Sequence, residues 1–223
     1  MNNPISEGKI FKNLPLGKVP PVKKFKFIVV YGDPAYSNSK ADKKNSTKAL
    51  VAMGYLKETY YILKAFCAHA SNDEYIEWFY TLKSILGSSV PVYFVQENNT
   101  LQNPFFEQVF MPMVREKNQL KGESLYIRGD DRKKGDKATR IEASLEPVDR
   151  EGRLVFNEEE KDNPHMIELM DQFKMFELHL PYCADGPDCV EGGKVFTDRK
   201  MRESTAQIDC VSYSELTDPR NRM

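Results

Sequence analysis

A change in the spacing of apolar residues near residue 70 constrains this fold more than any other feature of the sequence. Before it, three segments rich in β-branched and aromatic residues follow one another with short links: residues 25–31, 47–54 and 59–66. Such a succession predicts an antiparallel meander. After it, apolar residues recur at three- and four-residue steps. That spacing predicts an amphipathic helix that is capped by Ser71 or Asn72 and ends at Gly87.

The rest of the chain alternates between the two kinds of pattern. Strands are predicted at 91–96, 124–128 and 153–156, and helices at 104–117, 138–145, 164–178 and from about Asp185 onward. The strand at 91–96 is almost wholly apolar, which is typical of a strand covered on both faces. Pro147 is expected to break the helix before it. This order predicts an α/β fold in which a mixed central sheet, an antiparallel meander plus parallel strands, has helices on both faces.

Composition excludes several classes of protein. A chain of 223 residues with 40% hydrophobic residues can bury a core without disulfides, and its four cysteines show no paired C-x-x-C spacing of a structural zinc site. No apolar run approaches the roughly 20 residues of a membrane helix, and the first residues are not a signal peptide. The formal net charge is −1, so any contact with nucleic acid must come from local basic loops.

We expect the chain to be divided into three parts. Six prolines and glycines interrupt residues 1–24, which we interpret as a linker or arm. Residues 25–204 form the main domain, and residues 205–223 are a polar C-terminal tail.

Acidic residues stand at the ends of predicted elements. Asp33 closes the first strand, Glu97 closes the strand at 91–96, and Asp188 lies in the first turn of the last helix, three residues after Asp185. If the two strands are parallel neighbours, Asp33 and Glu97 emerge side by side at the carboxyl edge of the sheet. Three of these residues also have a plain structural explanation: Asp33 as a turn residue, Asp185 as a helix cap and Asp188 as a partner of the helix dipole. Glu97 is harder to explain in this way, because it directly follows an apolar strand.

Carboxylates that converge repel one another unless a cation is present. Hard oxygen ligands select Mg²⁺ or Mn²⁺, and two such ions about 3.5–4 Å apart can drive phosphodiester hydrolysis. The pattern therefore favours metal-assisted cleavage of a phosphodiester. The pair Asp130 and Asp131 is a rival acidic group, which we expect to be solvated because it lies in a highly charged loop.

Two loops are basic and are predicted to lie near these carboxylates. A run of lysines usually marks a solvated loop, but here it follows a predicted site residue and could hold phosphates without reading sequence. The candidate DNA-binding residues are Lys40, Lys43, Lys44, Arg132, Lys133, Lys134, Lys137 and Arg140.

The chain resembles the C-terminal nuclease domain of tailed-phage terminase large subunits over about residues 1–200. No single motif is specific, but the series occurs in order. It consists of Asn3-Pro-Ile-Ser-Glu-Gly8, Phe27-Ile-Val-Val-Tyr-Gly-Asp-Pro34, Thr47-Lys-Ala-Leu-Val-Ala-Met-Gly54, Val92-Tyr-Phe-Val-Gln-Glu-Asn98, Lys137-Ala-Thr-Arg-Ile141, Leu145-Glu-Pro147, Gly152 and Asp185-Gly-Pro-Asp-Cys-Val-Glu-Gly192.

The resemblance implies a ribonuclease H-like fold and an endonuclease that cuts concatemeric double-stranded viral DNA with two Mg²⁺ or Mn²⁺ ions. It implies that Asp33, Glu97 and Asp188 are catalytic metal ligands, with Asp185 as an accessory ligand. The arm at 1–24 would then lead from an ATPase domain, but the chain has no G-x-x-x-x-G-K-[ST] loop.

The resemblance also implies further partners and a location. They are the small terminase subunit and the portal, and the cytoplasm of a bacterial host. Two other functions fit the same residues: a junction resolvase or other integrase-like nuclease, and a non-catalytic module that grips DNA or serves assembly.

Overall fold

The structure is a computed structural model that describes residues 9–34, 47–98 and 103–217; the side chains of residues 103 and 205–217 lie outside the description. Seven strands form one sheet in the order β1-β7-β4-β3-β2-β5-β6. The strands are β1 (Leu16–Gly17), β2 (Ile28–Asp33), β3 (Lys48–Leu56), β4 (Thr59–Ala68), β5 (Val92–Glu97), β6 (Arg128–Asp130) and β7 (Leu154–Asn157).

The sheet is mixed, as the sequence predicts. β2, β3 and β4 form the antiparallel meander, whereas β5 runs parallel to β2 and β6 runs parallel to β5. On the other side, β7 runs parallel to β4 and β1 runs parallel to β7. Three parallel strands, β2, β5 and β6, therefore end at the same edge of the sheet.

Helices cover both faces, which confirms the predicted fold class. They are α1 (Asn72–Leu86), α2 (Asn103–Phe105), α3 (Met111–Lys121), α4 (Lys137–Arg150), α5 (Pro164–Lys174) and α6 (Asp185–Thr217), and a π-helical segment (Phe106–Phe110) joins α2 to α3. Ser71 caps α1 through a capping box with Glu74, and Gly87 ends the helix with a φ of 62°.

The core has one layer on each face of the sheet because side chains alternate along β2. Ile28 and Val30 point to the layer that contains α1 and α3. Val29 and Tyr31 point to the layer that contains α4, α5 and α6. All four side chains are fully buried, which is the pattern of a central strand.

A glycine lets α6 lie close to β2. A Cβ added at Gly192 would lie 2.2 Å from the ring of Tyr31, which is fully buried. A residue with a side chain would push the helix away from the strand, because the buried ring has no room to move. Gly192 therefore fixes how closely the first turns of α6 approach the end of β2.

The segment before β2 is attached to the rest of the protein. Phe11 is fully buried, and Asp149 accepts hydrogen bonds from the backbone N–H groups of Lys12 (3.1 Å), Asn13 (3.1 Å) and Leu14 (2.6 Å). At the other end, α6 continues past residue 204. The interpretation of residues 1–24 as an arm, with a main domain to 204 and a tail from 205, stays a prediction.

Four predicted elements differ from the structure. The strand predicted at 124–128 starts only at Arg128, because β6 pairs with β5 from Val95 onward. The helix predicted at 164–178 ends at Lys174, and that at 104–117 extends to Lys121. Pro147 does not break α4, which continues to Arg150, so the missing N–H is tolerated in the last turn.

A further difference concerns β5. The strand is not covered on both faces along its whole length, because Tyr93 is 36% exposed while Val95 is fully buried. The covered half is the half that leads to Glu97. Across the described ranges, none of the helices combines the length and the apolar character that a bilayer-spanning segment requires.

Candidate metal centre

Two parallel strands bring the first two carboxylates together. Gly32 on β2 is in register with Gln96 on β5, so the next residues, Asp33 and Glu97, leave the sheet side by side. Each is 4% exposed. The sequence supplies this arrangement directly, because each residue follows a run of apolar residues that has to lie in the sheet.

The start of α6 brings the third carboxylate. Asp188 lies in its first turn and is 4% exposed. One oxygen atom of each of Asp33, Glu97 and Asp188 lies within 4.8 Å of the others. We call these three residues the acidic triad. The structure thus brings together the three residues that the sequence singles out.

The surroundings shift the pKa values of Asp33 and Asp188 in opposite directions. Burial raises the pKa of Asp33 well above its usual value, and the negative charges of Glu97, Asp188 and Asp185 raise it further. Burial alone would also raise the pKa of Asp188, but the neighbouring cations outweigh it and lower that pKa to about 2. These cations are Lys134, Lys137 and Arg140. Asp188 is therefore held ionised, whereas the ionised form of Asp33 is disfavoured.

Asp185 lies beside the acidic triad and has other contacts. Its Oδ2 accepts the backbone N–H of Thr47 at 2.9 Å and is 3.0 Å from the thiol of Cys183. Its Oδ1 accepts a hydrogen bond from Lys137 at 2.7 Å. These bonds link the start of β3 to the start of α6, so Asp185 joins the elements that surround the site.

Three of the predicted DNA-binding residues contact the carboxylates directly. Lys134 bonds to Glu97 and to Asp188, the latter at 3.0 Å. Arg140 is 2.6 Å from Asp188 and 2.5 Å from Glu191. Lys137 bonds to Asp185 and is 3.5 Å from Asp188. The second basic loop is therefore close to the acidic triad, as predicted.

The other predicted basic residues are placed differently. Arg132 bonds to Asp130 at 2.8 Å and is 3.9 Å from Glu191, and Lys133 is exposed. Lys40, Lys43 and Lys44 lie outside the residues that the structure describes.

Sequence reasoning missed two buried carboxylates at the same edge. Asp130, expected to be solvated, is 3% exposed and accepts a hydrogen bond from the Tyr31 hydroxyl at 2.9 Å. That expectation was wrong because Asp130 ends β6, in register with Glu97. The rule that found Glu97, an acidic residue at the end of a parallel strand, could have found it. Glu191, 4% exposed and three residues after Asp188 on α6, gave no comparable signal.

The acidic triad suits a divalent cation. Its donors are hard carboxylate oxygens that lie close together and away from bulk water, the environment in which Mg²⁺ and Mn²⁺ bind. Burial and the adjacent carboxylates oppose the ionisation of Asp33, and a divalent cation at the triad would offset that effect.

Sequence comparison finds no match: neither a family model nor a curated protein corresponds to this chain. Structural comparison does. A terminase nuclease domain of human cytomegalovirus, soaked with manganese and bound to an inhibitor, superposes with a TM-score of 0.54 at 18% identity. The match covers 77% of this chain and 82% of the viral domain.

Two phage structures are also similar. One is the nuclease domain of the large terminase of bacteriophage SPP1, with bound manganese, at a TM-score of 0.43 and 17% identity. The match covers 72% of this chain and 78% of the SPP1 chain. The large terminase nuclease of thermophilic phage G20c has a TM-score of 0.47 at 8% identity, covering 80% and 90%. Given the cytomegalovirus match and the sheet and helices described above, this chain has the ribonuclease H-like fold of terminase nuclease domains.

Proposed function

We propose that this protein is a metal-dependent endonuclease that hydrolyses phosphodiester bonds of double-stranded DNA and cuts concatemeric viral DNA during genome packaging. The observation that carries the proposal is the acidic triad, with one oxygen of each residue within 4.8 Å of the others at the carboxyl edge of a ribonuclease H-like sheet. The similar cytomegalovirus domain was soaked with manganese, which supports Mg²⁺ or Mn²⁺ as the ions.

In this proposal, Asp33, Glu97 and Asp188 hold the metal, and Asp185 assists from the start of α6. Two divalent ions, when bound, activate the attacking water and stabilise the leaving oxygen. The chain supplies the arrangement: β2 and β5 fix two carboxylates side by side, and α6 adds the third. Burial strengthens each electrostatic interaction at the reacting phosphate by excluding water.

The cations near the triad support a proposed role in binding a polyanion. Lys133 is exposed, and Lys137 and Arg140 lie at the rim of the carboxylates. Together with Lys40, Lys43 and Lys44, which follow β2 in the sequence, and with Arg132 and Lys134, they are the proposed contacts to DNA phosphates. Contacts of this kind bind duplexes of any sequence and weaken with added salt.

We further propose that the nuclease works with an ATPase domain, a small terminase subunit and a portal, in the cytoplasm of a bacterial host. Two observations support these partners. The chain shares its fold with a terminase nuclease domain, and its series of motifs between residues 3 and 192 resembles that of phage terminase large subunits.

The function is tested with plasmid DNA and purified protein. Supercoiled plasmid incubated with Mn²⁺ should be nicked and linearised, a chelator should stop the reaction, and Asp33→Asn should lower the rate by at least about 10³-fold, because one ligand is lost. Asp131→Asn is the matched control, because Asp131 is an exposed carboxylate near the same edge of the sheet and its loss should leave the rate unchanged.

Each contrary outcome identifies another function. Cleavage that persists in chelator, or in the Asp33→Asn protein, would exclude a metal reaction at the triad. Binding to DNA without any cleavage would favour a module that only grips DNA. A strong preference for four-way junctions over linear duplex would favour a junction resolvase.

A further inference from the structure

Lys134 is enclosed by the metal centre rather than displayed to solvent. Its ammonium group bonds to Glu97 and, at 3.0 Å, to Asp188 Oδ1, and it lies 5.8 Å from the centroid of the Tyr31 ring. Its side chain is 9% exposed, whereas the adjacent Lys133 is exposed. Two members of the acidic triad are thus bridged by one lysine.

The charge around Lys134 explains why it is held there. Six carboxylates at this edge are each at most 8% exposed: Asp33, Glu97, Asp130, Asp185, Asp188 and Glu191. Buried carboxylates are strongly destabilising unless positive groups compensate them. Arg132 compensates Asp130, and Arg140 bridges Asp188 and Glu191. Lys134 joins Glu97 to Asp188.

We propose that Lys134 is a built-in counter-cation, which occupies the Glu97–Asp188 side of the metal centre and has to leave it when a divalent ion binds. The inference rests on the proposed function, because it assigns the metal to the acidic triad. The ammonium group and a divalent ion would share the carboxylates of Glu97 and Asp188, and two cations so close together repel strongly in a buried site. Lys134 lies in the segment 131–136 between β6 and α4. Once released from the carboxylates, its ammonium group would be a free cation next to the position of the reacting phosphate.

Other roles for Lys134 predict different effects on metal binding. If it only contacted DNA phosphates, its removal would leave metal affinity unchanged. If it positioned Glu97 and Asp188 for the ion, its removal would weaken metal binding. If Lys134 competes with the metal for the carboxylates, its removal would strengthen metal binding.

The first experiment is a calorimetric titration of the protein with Mn²⁺ in the absence of DNA. Lys134→Met should bind Mn²⁺ at least about tenfold more tightly than the wild type. Tenfold is a low value for the repulsion that is lost when one competing charge is removed from a buried site. Methionine keeps the apolar stem of the lysine. The matched control Lys133→Met removes a neighbouring exposed charge and should leave the affinity within about twofold of the wild type.

The second experiment uses the wild-type protein, so it does not depend on whether the variant folds. The protein is treated briefly with an amine-acylating reagent, and modification at each lysine is measured by fragment-ion mass spectrometry. Saturating Mn²⁺ should increase acylation of Lys134 several-fold, because the freed amine reaches solvent. Lys133, which is already exposed, is the internal control and should react at a constant rate.

The outcomes separate this inference from the proposed function. Wild-type protein that binds Mn²⁺, together with unchanged or weaker binding by Lys134→Met, would overturn the inference alone. Acylation of Lys134 that does not respond to saturating Mn²⁺ would do the same. A wild type that binds no Mn²⁺ would overturn the proposed function and this inference with it.

Discussion

Among the residues that the structure describes, carboxylates are buried in two places, by different means. Asp149 on α4 is 1% exposed and accepts three backbone N–H groups, those of Lys12, Asn13 and Leu14. Asp33 on β2 is 4% exposed. Burial raises its pKa most, and the nearby carboxylates of Glu97, Asp188 and Asp185 raise it further. The first carboxylate accepts hydrogen bonds from the backbone, whereas the second has three other carboxylates near it that oppose its ionisation.

The difference separates a structural acid from a functional one. A buried acid that holds a loop in place receives hydrogen bonds from that loop, and nothing further is needed. A group of acids that oppose one another's ionisation lowers the stability of the protein, and under the proposed function it persists because it binds a cation. The comparison leads to three predictions, which run from the largest expected effect to the smallest.

Asp149→Ala should lower the free energy of unfolding by about 3 kcal/mol, because three backbone N–H groups, one of them buried and two partly buried, lose their acceptor. The measurement is urea denaturation in chelator. Nuclease activity per folded molecule should be retained, since Asp149 lies outside the acidic triad. Asp131→Ala, at an exposed position, is the control and should change stability little. A large loss of activity in folded Asp149→Ala protein would break the distinction between the two sites.

Asp33→Asn, in contrast to Asp149→Ala, should stabilise the protein. Its melting temperature in chelator should rise by roughly 2–4 °C, which corresponds to about 1 kcal/mol. The pKa of Asp33 is raised in the folded protein, so its carboxyl group costs folding free energy at a pH above that value; the cost declines as the pH falls through the folded pKa and is gone only below the lower pKa of the unfolded chain. The neutral amide removes the cost at neutral pH.

The same variant should lose the stabilisation that Mn²⁺ gives the wild type, because ligand binding to the folded state raises its stability. Thermal unfolding with and without Mn²⁺ measures both effects. A lower melting temperature for Asp33→Asn in chelator would indicate that Asp33, like Asp149, serves the fold.

Lys133→Glu should have the smallest effect: a loss of a few-fold in affinity for duplex DNA at low salt, and a salt dependence that is weaker by about one unit of slope. Lys133 is the exposed member of the loop whose other cations bond to carboxylates. Fluorescence anisotropy with Ca²⁺ in place of Mn²⁺ measures binding. Lys161→Glu, exposed near the β7 end of the sheet, is the control, and an equal loss in both variants would exclude a specific role for this loop.

Much of the fold could be read from local patterns. The meander, the helix capped at Ser71 and the strand ending at Glu97 follow from the spacing of apolar residues and from capping residues, both of which act over a few positions. The errors occurred where distant pairing decides the outcome. Residues 125–127 carry large hydrophobic side chains, yet β6 begins only at Arg128, which pairs with Val95 of β5.

The sequence by itself determined which carboxylates end strands and start helices, because apolar runs of the right length must lie in the sheet and their polar neighbours must lie at its edge. Tertiary structure alone decided what those carboxylates meet. It placed Asp130 and Glu191 in the same buried region, and it placed Lys134 between Glu97 and Asp188. The physical reason is that the charge environment of a side chain depends on residues far away in sequence, which only the packing of α4 and α6 against the edge of the sheet brings into contact.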